Sequence, residues 1–205
     1  MSTMNSVAEY GEYEEKFQET YELFKRNIES DEEVGASFAV YKDGKPIIDL
    51  YGGFQDRDKK ISWNKETMVN VHSTSKGIVA MVVAKLIDNG DLELEKRVCD
   101  YWPEFSENGK NDIKVKTLLS HQAGLYGWTE PLDETDFYKW DYVCELLAKQ
   151  KPFHEPNKEI CYHPKTIGFL VGELIKRITK KSVGKNLHEL LSEPLKAKCF
   201  IGTPE

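Results

Sequence analysis

Ser73-Thr74-Ser75-Lys76 places a hydroxyl and an amine three positions apart, on one face of any helix that contains them. Ile78 to Ile87 follows, apolar except at Lys85, and stops at Asn89-Gly90. The pattern predicts a helix with Ser73 at its N-terminal end, where free main-chain N–H groups and the positive end of the dipole meet. Lacking a polar face, that helix is expected to be buried. A serine hydroxyl is a weak nucleophile until a neighbouring base takes its proton. Lys76 can be that base if burial disfavours its charged form. The same spacing recurs in Ser62-Trp63-Asn64-Lys65 and Ser182-Val183-Gly184-Lys185. Ser62 precedes no apolar run, and Ser182 reads as a cap between two amphipathic segments. Taken alone, the Ser73 tetrad reads first as an ordinary N-cap serine.

The other chemistry-bearing side chains read more plainly. His121, in Leu118-Leu119-Ser120-His121-Gln122-Ala123-Gly124, reads as a hydrogen-bonded residue closing a short helix rather than as a catalytic one. His72, His154 and His188 show no metal-like spacing with acidic or cysteine partners. Asp112 and Glu159 read as solvated loop charges. Cys99, Cys144, Cys161 and Cys199 form no Cys-x-x-Cys pair, so reduced and mostly buried thiols are expected. Neither a metal nor another cofactor is called for.

The elements that must position these residues follow from periodicity. Tyr10, Tyr13, Phe17, Tyr21, Phe24 and Ile28 recur at steps of three and four, predicting one amphipathic helix that lies on a sheet. Ala36–Tyr41 and Pro46–Tyr51 flank Asp43-Gly44, a strong hairpin signal. Further helices are predicted over Ile113–Gly124, Asp141–Gln150 and Thr166–Ile178. At 205 residues, with 40% hydrophobic and 31% charged residues, the chain has the composition of an ordinary globular protein. Its net charge of −7 argues against a nucleic-acid surface. No apolar run reaches the roughly 18–20 residues that span a bilayer, and the acidic first residues resemble neither a signal nor a transit peptide. A cytoplasmic protein with no membrane span is expected.

In this order the segments resemble the serine β-lactamase-related family, which includes class C β-lactamases, penicillin-binding-protein-like esterases and their animal relatives. Val71-His72-Ser73-Thr74-Ser75-Lys76 looks like the family's nucleophile motif, and Val98–Phe105 like the segment after the nucleophile helix. Ile113–Leu125 is similar to its I-T-V-x-x-L-L-x-H-x-S-G-L signature. Pro152–Tyr162 with Gly168–Leu174 resembles the stretch carrying Tyr-x-Asn, and Glu193-Pro194-Leu195 with Phe200-Ile201-Gly202 matches its sequel. Tyr162-His163-Pro164 departs from Tyr-x-Asn at its third place, and no Lys/His-x-Gly triplet follows.

The resemblance implies an α/β (α+β) fold of β-lactamase/transpeptidase type: an antiparallel sheet flanked by helices, plus a helical region, with the C-terminal strands missing. One truncated domain is expected over 1–205, with the helix and hairpin over about 10–70 and the helical region over about 71–200. It implies a serine hydrolase forming an acyl-enzyme on a small ester or amide at Ser73, esterase-like rather than a true β-lactamase. Lys76 or Tyr162 would move the proton, and His163 would face the mouth of the site and bind substrate. A non-catalytic scaffold, or an inactive fragment or short form of a longer hydrolase, is the alternative. The 205 residues alone are expected to be marginally folded, because an isolated hairpin is barely stable, and without turnover, because half an oxyanion hole and an unsupported Tyr162 leave no measurable hydrolysis.

Overall fold

Asp43 and Gly44 have φ of 51° and 73°. Two successive positive φ values make the tight turn whose twist matches a right-twisted strand pair. In the computed structural model, which describes residues 6–202, this turn joins β3 (Gly35–Lys42) to β4 (Lys45–Gly53). The predicted hairpin is therefore present, with a register irregularity at Val40/Tyr41. It is not isolated: β1 (Ser6–Ala8) and β2 (Gly11–Tyr13) precede it, and the antiparallel order is β1-β2-β4-β3. Among the described residues β3 pairs on one side only, and it exposes Phe38 and Tyr41.

The first predicted helix is shorter than its stripe. Tyr10 lies in the β1–β2 turn and Tyr13 in β2, paired with Ile48. A short 3-10 turn then leads into α1 (Gln18–Glu29). Gly11 explains the boundary: its φ is +116°, and a Cβ there would stand 2.2 Å from the Asp49 carbonyl oxygen. The chain must turn at that point to reach β4. The stripe still does its packing work. Tyr13, Tyr21, Ile48 and Leu50 are buried together, with Tyr10, Phe17, Phe24 and Val40 against them.

The chain divides into two compact units, ending and beginning at Asn70 and Val71. The second unit is helical: α2 (Ser75–Asp88), α3 (Val98–Tyr101), α4 (Val115–Leu119), α5 (Trp140–Lys149), α6 (Thr166–Thr179) and α7 (Val183–Leu187), then a π-helical turn over His188–Ser192 and a last short turn, α8 (Glu193–Leu195). One core joins Val83 and Leu86 of α2 to Val98, Trp102, Phe105, Leu118, Leu147, Leu170 and Leu174. Each such side chain contributes about 1.5–3 kcal/mol on burial. Gly172 of α6 admits the Trp140 ring, which would stand 2.6 Å from a Cβ there. Trp140 Nε1 donates to the buried Glu173 carboxylate at 2.7 Å, and Arg177 joins Glu173 to Glu104. Lys110 is fully buried; its ammonium donates to the main-chain carbonyls of Glu107 and Gln150, and burial pushes its pKa down to about 8.

α2 departs from the expectation of a helix buried all round. Val82, Val83 and Leu86 are buried, whereas Gly77, Ala80, Met81 and Ala84 are exposed, Met81 by 48%. The core reaches one side only of this apolar helix.

Candidate active site

His72, Ser73 and Thr74 form a 3-10 turn that runs directly into α2. His72 has a φ of +46°, a backbone setting that costs a non-glycine residue on the order of 1 kcal/mol. This strained residue stands immediately before Ser73 at the head of the helix. Neither the turn nor α2 is capped by a side chain, so Ser73 is not the N-cap serine that its tetrad alone suggests. Its hydroxyl oxygen is held by two other groups. Lys76 Nζ donates to it at 3.0 Å, one helical turn away, and the Tyr162 hydroxyl donates at 2.9 Å from 89 residues along the chain.

The two other tetrads serve different ends. Ser182 accepts the Lys185 main-chain N–H at 3.2 Å and caps α7, as its context predicts. Lys65 pairs with Asp49 at 2.6 Å, and Ser62 lies in an isolated bridge to Phe54.

Charge is arranged around the phenol. The Lys76 ammonium lies 5.0 Å from the Tyr162 ring centroid. Lys76 first, and the hydrogen bond to Ser73 second, hold the Tyr162 pKa below the ordinary tyrosine value. Hydrogen bonding from the ammonium favours the charged phenolate, and its Coulombic attraction adds to this. His121 is pushed below the usual histidine value by burial, then by the Lys76 charge, so its imidazole is neutral. Beside Lys76, His121 and Pro164 an apolar groove of about 780 Å³ opens, with Val79, Val83, Ile167 and Val171 along it.

His163 is not at the mouth of the site. Its side chain is fully buried: Nε2 accepts the Leu125 main-chain N–H at 3.0 Å, and Nδ1 lies 2.5 Å from the Cys161 carbonyl oxygen. An acceptor Nε2 fixes the proton on Nδ1, so Nδ1 donates to Cys161. Burial also lowers the His163 pKa and keeps the ring uncharged. With both ring nitrogens spent on the main chain, His163 has none left for a substrate. The reason is local: alternation along Cys161-Tyr162-His163 turns Tyr162 outward, 52% exposed, and its neighbour inward. His121, read from sequence as a structural residue closing a short helix, follows α4 with φ +61° and accepts the His163 main-chain N–H on Nδ1 at 3.0 Å.

Residues 22–204 match the family described as Beta-lactamase. The esterase/beta-lactamase LipL of Mycobacterium tuberculosis is 35% identical over 161 residues, covering 78% of this chain and 37% of that protein. The crystal structure of a family VIII carboxylesterase aligns with 93% of this chain and 53% of its own, at 40% identity and TM-score 0.87. A penicillin-binding protein homologue from Caulobacter crescentus aligns with 93% and 52%, at 36% identity and TM-score 0.89. The chain thus spans about half the length of these structures and less of LipL. Its fold is β-lactamase/transpeptidase-like, seen over part of the length of the full fold. With the Ser-x-x-Lys turn, its tyrosine and this match over most of its length, the chain belongs to the Beta-lactamase family.

Proposed function

We propose that this chain carries the acylating machinery of a serine hydrolase acting on small esters. The observation that carries the reading is the double contact at Ser73 Oγ, with Lys76 and Tyr162 both in hydrogen-bond reach. In this reading the Lys76 ammonium stabilises the Tyr162 phenolate, which takes the Ser73 proton as Oγ attacks the ester carbonyl. The proton then passes to the departing alkoxide, leaving an acyl-serine and the free alcohol. Water, deprotonated by the same phenolate, releases the acid and restores Ser73. The main-chain N–H of Ser73 would serve as one oxyanion donor, and a single such donor typically matters by roughly 100- to 1,000-fold.

Several observations support an ester substrate. Relatives at 35% and 40% identity are named as an esterase/beta-lactamase and a carboxylesterase. Pro164 stands where an Asn would offer a side-chain amide, so a lactam side chain loses a donor and an acceptor.

The test is covalent. A fluorophosphonate probe should label the chain at Ser73, as mapped by peptide mass, and Ser73→Ala should abolish the label. Labelling that persists in that variant, or that appears on Ser62 or Ser182, would remove Ser73 from the proposal. On any preparation that turns over, a chromogenic ester should give a higher kcat/KM than a chromogenic cephalosporin. The reverse order would overturn the argument from Pro164.

A further inference from the structure

The Leu-Leu-Ser-His-Gln-Ala-Gly stretch has no part in the chemistry above, yet its main chain runs beside the segment that delivers Tyr162. The Phe153 N–H donates to the Gly124 carbonyl at 2.8 Å, the Asn157 N–H to Gln122 at 3.0 Å and the Cys161 N–H to His121 at 3.1 Å. Gly124 has no Cβ to collide with this neighbour; one would stand 2.6 Å from the His154 carbonyl oxygen. The contact then closes around Tyr162 itself. The residue before it donates its main-chain N–H to the His121 carbonyl, and the residue after it donates to His121 Nδ1. The His121 ring packs on the Tyr162 ring, with centroids 5.1 Å apart. From the other side, the buried His163 ring ties the Cys161 carbonyl to the Leu125 N–H.

We propose that His121, backed by His163, is the positioning residue for Tyr162: it clasps the main chain on both sides of the tyrosine and so sets the phenol on Ser73. The clasp needs an acceptor at Nδ1. It also needs a residue that tolerates φ of +61°, a region that asparagine and glycine enter readily. The catalytic part of this inference rests on the hydrolase reading; the clasp itself does not.

Two substitutions separate the acceptor from the backbone. His121→Asn keeps both, because its Oδ1 can take the place of Nδ1. His121→Gly keeps the backbone and removes the acceptor. The chain is prepared with ¹³Cζ-tyrosine, and the Tyr162 resonance is assigned with Tyr162→Phe. In wild type and H121N, Tyr162 should titrate below the ordinary value of about 10. In H121G its midpoint should return to that value. Fluorophosphonate labelling of Ser73 should then fall about 100-fold relative to H121N, the scale of a small misplacement in an active site. An H121G titration identical to wild type, or an H121N titration like that of H121G, would overturn the proposal. One measurement needs no variant: a ¹⁵N–¹⁵N coupling across the hydrogen bond from the His163 amide to His121 Nδ1 should be visible in wild type, and its absence also overturns the clasp. If wild type is never labelled at Ser73, the hydrolase reading falls, while titration and coupling still decide the clasp.

Discussion

At Ser73 the hydroxyl oxygen accepts from Lys76 and Tyr162 together, so it can lose its proton only when one of these partners is itself deprotonated. The lowered Tyr162 pKa, caused first by Lys76, points to the phenol. A base must be unprotonated to act, so Ser73 labelling should rise with pH and level off above a midpoint lower than about 10. Lys76→Met should move that midpoint upward and slow labelling at neutral pH by about 100-fold or more; an unchanged pH profile would remove the ammonium from the account. Lys110 offers a second titration, with linkage of the same sign as that of a salt-bridged acid but in an alkaline window. Its folded pKa of about 8 lies below the ordinary lysine value, so the folded state holds its proton less tightly than the unfolded chain. Stability should rise between about pH 8 and pH 10 as the buried charge is lost. Subtracting the same curve for Lys110→Met should isolate a gain on the order of 1–3 kcal/mol in chemical unfolding, and a flat difference curve would mean that the carbonyls of Glu107 and Gln150 fully offset the burial. Spacing and the apolar helix marked Ser73 and Lys76 as a candidate pair, but on spacing alone an N-cap serine was the first reading, and the resemblance outweighed it. Tyr162 was legible only through resemblance, because nothing in the local sequence marks a tyrosine 89 residues away as a partner.

Elements were legible where a local signal and the tertiary structure agree. Asp43-Gly44 fixes its turn by backbone chemistry alone, and the hairpin followed from it. Tyr10 and Tyr13 fit a helical spacing as well as α1 does, but pairing of β2 with β4 draws them into a strand and its turn. The clue available in the sequence was Gly11, a residue poorly suited to the middle of a helix. The burial of α2 was misjudged for another reason: periodicity reports what a helix can bury, while burial depends on what stands against it. The α5–α6 contact offers a sharp test at this scale. Gly172→Ala should push against the Trp140 ring and cost about 1–3 kcal/mol in thermal unfolding. A further Trp140→Phe substitution should recover part of the loss, since the smaller ring vacates the contested space.

For the whole molecule, the two units differ in what holds them. Residues 6–70 bury a small cluster around Tyr21 and Leu50, whereas the helical unit buries one core running from α2 to α7. Amide hydrogen exchange should therefore protect α5 and α6 longest and release β3 first; the reverse order would contradict this assignment of the cores. The isolated hairpin behind the expectation of marginal folding is replaced by a four-stranded sheet, and the helical faces do meet each other. The absence of turnover in the 205 residues alone stays a proposal, to be checked with the ester assay. One consequence of the edge strand concerns behaviour in concentrated solution. Among the described residues β3 offers eight residues of main chain with one unpaired side and an exposed Phe38 and Tyr41, and a second molecule of these 205 residues arriving antiparallel could extend the sheet. Light scattering should show growth that steepens with protein concentration and persists at high salt. Phe38→Lys should suppress it, placing a charge where each added strand would have to lie.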